Sequence, residues 1–188
     1  MTSKRIYLDT CCFVELAIDA NGGKLYDAGR FVWHLKTVLR ASRDKRLTVY
    51  TSMLTVAECT HADGDLGEET QRLFRGVLTS GTGGVTCWQP DVFVFERARD
   101  LRWKHNINLK PADSVHVATA LDAECDEFWT WDGINGSPKS IMKSAAAIAG
   151  LGLRVLAPSD SPSIPDEYRQ GLLSIGHGSD AGKEAPAI

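Results

Sequence analysis

Ile6-Tyr7-Leu8 is a short apolar run that stops at Asp9, and Phe128-Trp129-Thr130-Trp131 is another that stops at Asp132. Brief apolar runs bounded by polar residues read as buried strands. Further strands are predicted at 47–51, at Val85–Trp88 and at Leu153–Leu156, with the strand before Asp132 spanning 127–131. Between them the apolar positions switch to helical spacing. Phe13 to Ala17 starts a helix that Asn21-Gly22-Gly23 interrupts, and a long helix is predicted over Leu25–Arg43, with Phe31, Leu35, Val38 and Leu39 on one face. Ser52 can cap a short helix that carries Glu58. Helices follow at Glu68–Leu78, from Pro90 to about Lys104, from Pro111 to about Cys125, and over Lys139–Ile148. Pro111 suits a first helical turn, where its missing N–H costs nothing. Strands separated by helices imply a parallel sheet covered on both faces.

Four acids fall at the ends of these elements. Asp9 and Asp132 close strands, Asp113 opens a helix, and Glu58 lies on the short helix after the second strand. Open α/β sheets gather ligands at the carboxyl edge of their strands. Carboxylates crowded there repel one another unless a hard divalent cation sits among them. Thr10 and Thr130 adjoin the same strand ends and can orient carboxylates or substrate through their hydroxyls.

The order strand–Asp9-Thr10, helix–Glu58, then Pro111-Ala112-Asp113-Ser114-Val115-His116-Val117-Ala118-Thr119-Ala120, then Thr130-Trp131-Asp132 resembles the PIN-domain family. The acids are separated by 49, 55 and 19 residues. Within the family the chain is most similar to the VapC-like ribonuclease toxins of bacterial toxin–antitoxin pairs. The resemblance spans about 4–157. It implies a three-layer α/β/α fold with a central, mostly parallel sheet, and a divalent-metal-dependent endoribonuclease that hydrolyses RNA phosphodiester bonds. It also implies Mg²⁺ or Mn²⁺ as cofactor, with Asp9, Glu58, Asp113 and Asp132 as metal-holding and catalytic residues. Asp9 and Asp113 are the expected direct ligands, and Thr10 and Thr130 the expected supports. RNA, a small antitoxin protein and a second copy of the chain are the implied partners. The alternative class is a PIN-like module that binds RNA or protein without cutting.

Composition and charge narrow the setting. The chain has 188 residues and a formal net charge of −3. Residues 159–188 hold two basic against five acidic side chains, so residues 1–158 are neutral, with nineteen of each. The nuclease domain is therefore expected over 1–158, and 159–188, rich in Pro, Ser and Gly, as a poorly ordered acidic tail with room for a short helix near Glu167–Leu173. Basic residues cluster at Arg40, Arg43, Lys45 and Arg46, and again at Arg97, Arg99, Arg102, Lys104 and Lys110. Arg97, Arg99, Arg102 and Lys104 precede the Asp113 helix and are the expected contacts to RNA phosphates.

No apolar stretch approaches the ~20 residues of a membrane span. The N-terminus lacks the apolar core of a signal peptide, so a cytoplasmic, membrane-free protein is expected. Five scattered cysteines fit a reducing compartment better than a disulfide framework. Cys11, Cys12, Cys59 and His61 lack paired Cys-x-x-Cys spacing and make a poor zinc site. His116 lies one turn after Asp113 on an apolar face and reads as a hydrogen-bonded core histidine. The tryptophans read mostly as core, with Trp131 as the one candidate for base stacking.

Overall fold

The computed structural model describes residues 3–61, 64, 67–133 and 139–173. Five parallel strands form one sheet in the order β3-β2-β1-β4-β5. They are β1 (Arg5–Leu8), β2 (Thr48–Ser52), β3 (Val85–Trp88), β4 (Glu127–Trp129) and β5 (Arg154–Leu156). β1 occupies the centre, with Tyr7 in register with Tyr50 on one side and Phe128 on the other. The helices are α1 (Thr10–Ala20), α2 (Val32–Arg43), α3 (Met53–Glu58), α4 (Glu68–Phe74), α5 (Val92–Trp103), α6 (Pro111–Asp122), α7 (Ala145–Ala149) and α8 (Asp166–Leu173). A family resemblance that implied a three-layer α/β/α architecture is met by this parallel sheet with its flanking helices.

Alternation along β1 divides the core. Ile6 and Leu8 pack with Val49 and Trp129 against α1 and α2 residues such as Phe13, Leu16 and Leu35. Tyr7 points the other way, with Phe128, and meets Val117 and Ala120 of α6 and Ile148 of α7. Successive strand side chains face opposite sides of a sheet, so three consecutive apolar residues feed both layers. Each fully buried Leu or Phe in these clusters contributes roughly 1.5–3 kcal/mol of transfer free energy.

Several elements differ from the sequence reading, each for a local reason. The helix expected over Leu25–Arg43 is a 3₁₀ turn at Tyr26–Gly29 followed by α2. Gly29 sits at φ +77°, and a Cβ there would lie 2.8 Å from the Leu25 side chain. That left-handed residue turns the chain before α2 can start. The Glu68 helix ends its regular part at Phe74 and finishes in a π-turn over Arg75–Thr79. β4 stops at Trp129, two residues earlier than expected, and leaves Thr130 and Trp131 in the connection to Asp132.

The chain does not leave the core at Ser159, where its composition changes. Ser161 and Ile164 are buried, and Ile164 and Tyr168 pack with the cluster that holds Leu35 and Trp129. Glu127, wholly buried at the start of β4, is the anchor. It accepts from Ser161 Oγ at 2.6 Å, from Ser163 Oγ, from Trp129 Nε1 at 2.9 Å and from Arg154 at 2.5 Å. A buried carboxylate needs such a full set of donors. Tyr168 also donates to Asp44 at 2.6 Å, and Arg46 meets Glu167 at 2.7 Å. The part of the expected tail at 174–188 lies outside the described residues.

Candidate active site

β1 ends where Asp9 caps α1. Its backbone is extended, at φ −71° and ψ 162°, and its Oδ1 accepts the Thr10 N–H at 2.8 Å. Asp is among the favoured N-cap residues because its carboxylate satisfies an orphan helix donor. The other oxygen, Oδ2, accepts from Thr130 Oγ1 at 2.7 Å and from Cys11 Sγ at 3.7 Å. Thr130 is wholly buried, and its hydroxyl oxygen accepts the Asp132 N–H at 3.1 Å. One hydroxyl therefore ties the end of β1 to the turn that presents Asp132. The Asp132 side chain itself is exposed.

Thr10 points the opposite way, and its hydroxyl donates to Glu58 Oε2 at the end of α3. Glu58 Oε2 also meets His116 Nε2 at 2.8 Å, and His116 Nδ1 meets the Tyr7 hydroxyl at 2.7 Å. An ionised Glu58 only accepts, so Nε2 carries a proton. Nδ1 then accepts from the phenol, or donates to it when the ring is protonated. Burial opposes protonation of His116. The hydrogen bond to Glu58 and the charges of Asp9, Glu58 and Asp113 outweigh it and hold the imidazole above its ordinary value. The bond from His116 holds Glu58 below the usual carboxylate range, against burial and with help from Thr10.

Asp113 enters from the first turn of α6, where the helix dipole favours a carboxylate. Its Oδ2 is buried and has no hydrogen-bond partner. Burial pushes the carboxyl up to about 6, and the charges of Asp9 and Asp132 push the same way, while Lys110 and His116 oppose them. Asp113 thus feels the charges of both Asp9 and Asp132 at the carboxyl edge of the sheet. Lys110, the N-cap residue of α6, is the lysine whose charge reaches Asp113.

Among the described residues, no group of three or more His, Cys, Asp and Glu side chains stands arranged to hold a metal ion. Glu58 is turned toward Thr10 and His116. The oxygen donors at the site nevertheless suit a hard cation, and the unpartnered, repelled oxygen of Asp113 is the kind of atom such an ion satisfies. The thiols do not. Burial pushes Cys59 to about 12, with Glu58 and Asp9 adding to it, so its thiolate is inaccessible near neutral pH.

His116 is core-buried and hydrogen-bonded, as its apolar helix face suggests, yet its partner is Glu58, so it also belongs to the site. The signal for that was its place one turn after Asp113. Trp131 is buried against Phe31, at 4.9 Å between ring centroids, and Tyr26, at 5.9 Å, so its rings serve packing. Trp103 is the opposite case, expected in the core and found 70% exposed under the Arg99 guanidinium.

The four expected RNA contacts lie on or just after α5. Arg97 reaches Asp122 at 3.9 Å, Arg99 pairs with Glu96 at 3.3 Å, and Lys104 pairs with Asp100 at 2.7 Å. Arg102 donates to Asn106 Oδ1 at 3.3 Å.

A family model for the PIN domain matches residues 6–133. The chain belongs to the PIN-domain family, whose members are generally nucleases. The match contains all of Asp9, Glu58, Asp113 and Asp132. Among solved structures, the crystal structure of FitAcB from Neisseria gonorrhoeae aligns at 17% identity and a TM-score of 0.49, covering 83% of this chain and 99% of that one. No curated protein matches the chain. Among the described residues, no helix is long and apolar enough to cross a membrane.

Proposed function

We propose that the chain is a Mg²⁺- or Mn²⁺-dependent endoribonuclease in which Asp9 and Asp113 hold the metal directly and Asp132 completes the site from the exposed rim. The observation that carries this reading is the buried Asp113 oxygen, unpartnered and repelled by Asp9 and Asp132. When bound, a divalent ion supplies an activated water and offsets charge on the scissile phosphate. The chain's own residues prepare the site. Thr130 fixes the Asp9 carboxylate and the Asp132 backbone together. Thr10 and His116 hold Glu58 ionised beside them. Glu58 is thereby a positioned carboxylate that can accept a proton from water entering the site or act on the metal through water. Lys110 supplies positive charge next to the acids, where an RNA phosphate must approach.

The α5 basic residues remain a proposed RNA path of lesser weight, since three of them have carboxylate partners that offset their charge. The resemblance to toxins supports a small antitoxin protein as partner and the cytoplasm, where its RNA target lies, as the place of action. The alternative, a silent RNA- or protein-binding module, draws on the engagement of Glu58 by Thr10 and His116.

The test is heat unfolding during a Mn²⁺ titration. A ion that binds only the folded chain raises its stability. Mn²⁺ should raise the melting temperature of the wild type and fail to do so in Asp9→Asn and Asp113→Asn. An equal rise in all three removes the metal assignment.

A further inference from the structure

Tyr26 is the outer member of a group of three aromatic rings that ends one residue short of Asp132. Its ring centroid lies 5.9 Å from that of Trp131 and 6.0 Å from that of Phe31, with the planes at 20° and 18°. Phe31 and Trp131 are 2% and 7% exposed, whereas Tyr26 is 39% exposed. The two buried rings therefore lie beneath Tyr26, and its open area is on the far side. They stack on each other at 4.9 Å without it. Trp131 adjoins Asp132, whose side chain is exposed at the rim of the acid site.

The loop that carries this ring is held from behind. Tyr26 N–H donates to Glu15 Oε1 at 2.7 Å, and Glu15 is buried in α1. Gly23 N–H donates to the Ile18 carbonyl at 2.9 Å, and Asn21 Nδ2 to Thr70 Oγ1 at 2.5 Å. A side chain fixed before its ligand arrives loses little freedom on binding. A flat ring with one open face suits an unpaired nucleobase, since every base has a π-face to lay on it. Bases inside a duplex are already covered by their neighbours. Lys24, Asp27 and Arg30 give the loop one net positive charge. Arg30 is exposed, with its guanidinium 5.8 Å from the Phe31 ring centroid. The phosphate attached to a stacked base would meet that charge. The exposed Lys24 and Arg30 on either side of one ring are unlike the charge-depleted centre of a protein contact.

We propose that Tyr26 is the platform on which an unpaired base beside the scissile phosphate stacks, making it a specificity-determining residue that selects single-stranded RNA. The place of the phosphate rests on the endoribonuclease reading, whereas the stacking needs only that RNA binds at this edge of the sheet.

Photochemical coupling of the full chain to RNA tests this. The probe is a single-stranded RNA with 5-iodouridine in place of uridine, which couples on irradiation to an aromatic ring it stacks on. It is bound in Ca²⁺, where no cleavage is expected. Trypsin cuts after Lys24 and Arg30 and releases 25–30, in which Tyr26 is the only aromatic residue. The coupled base should be found on that peptide. Tyr26→Ala should weaken RNA binding about tenfold, and Tyr26→Phe by less than about twofold. The wild type should bind the ordinary strand about tenfold better than the same strand with abasic sites, and Tyr26→Ala should lose most of that preference. Mn²⁺ should still raise the melting temperature of Tyr26→Ala as it does for the wild type. RNA that couples only to other peptides overturns the proposal and leaves the nuclease reading intact. So does a Tyr26→Ala variant that keeps the wild-type preference for bases. RNA that fails to bind removes both. Coupling to 25–30 in a chain whose melting ignores Mn²⁺ supports the platform and removes the metal assignment.

Discussion

His116 Nε2 lies 2.8 Å from Glu58 Oε2, while the other ring nitrogen meets the Tyr7 hydroxyl at 2.7 Å. This buried imidazole joins the central strand, α3 and α6 and fixes the one glutamate of the site. Replacing His116 by Asn should destabilise the protein by about 2 kcal/mol at pH 6, the order expected when a charged buried hydrogen bond loses a partner. The folded-state pKa of His116 is raised, so its contribution is complete below the unfolded value near 6.5 and declines as pH rises through the folded value. Urea unfolding at pH 6 and pH 9 should show the gap between wild type and variant narrowing at the higher pH. A gap that widens with pH would mean that the ring is held neutral.

Asp113 carries the reverse sign. Its carboxyl is pushed up to about 6, so the folded, metal-free protein resists its ionisation. The charge is a penalty that is absent below about pH 4, where both folded and unfolded forms are protonated, and is complete above about pH 6. A two-unit displacement corresponds to about 3 kcal/mol, and partial solvent screening reduces that to about 1 kcal/mol. Asp113→Asn should therefore stabilise the EDTA-treated protein by about 1 kcal/mol at pH 7.5 and by little at pH 4. Destabilisation at both pH values would show that the carboxylate is satisfied in the fold.

The 158–173 segment is predicted to be structural. Removing everything after Ala157 should lower the melting temperature by several degrees, because Ile164 and Tyr168 leave the core and Glu127 loses its two serine donors. Glu127→Ala, which leaves Ser161, Ser163 and Trp129 Nε1 without their acceptor and opens a cavity, should cost about 3 kcal/mol. Truncation after Leu173 should leave the unfolding of the domain unchanged. Equal melting temperatures for the two truncations would return the boundary to Ser159.

These outcomes separate what was legible in the sequence from what was not. β1, α6 and the four acids were legible because their signals are local: an apolar triplet before an N-cap Asp, and Pro111 before a first-turn Asp113. The docking of Ser161 and Ser163 on Glu127 was not, since it joins residues 34 and 36 positions apart and the segment's Pro and Ser content reads as loop. Glu58 was found, but its engagement by Thr10 and His116 depends on three elements meeting at the sheet edge. The paired state of the α5 cations was half legible. Glu96–Arg99 and Asp100–Lys104 sit at helical spacing, whereas Arg97–Asp122 does not.

Lys110 gives a prediction about the substrate path. Lys110→Glu should weaken RNA binding at low salt and reduce the slope of log affinity against log salt by roughly one contact. It should also push the Asp113 carboxyl up further, though only slightly, because burial is the larger influence on that carboxyl. RNA binding measured by fluorescence anisotropy over a salt series checks both the strength and the slope. An unchanged slope would place the phosphates away from the N-terminus of α6.

The central claim is that Asp9 and Asp113 hold a divalent ion for RNA hydrolysis. The most direct measurement is the single-turnover cleavage rate of a single-stranded RNA by the wild type, Asp9→Asn and Asp113→Asn in Mg²⁺, Mn²⁺, Ca²⁺ and EDTA. The account predicts cleavage by the wild type in Mg²⁺ and Mn²⁺, loss in EDTA, and loss in Ca²⁺, whose longer bonds and looser geometry misplace the attacking water. Each Asn variant should fall by at least about 100-fold, comparable to the loss of one strong transition-state interaction. Near-wild-type cleavage by Asp113→Asn, or full cleavage by the wild type in EDTA, would contradict it.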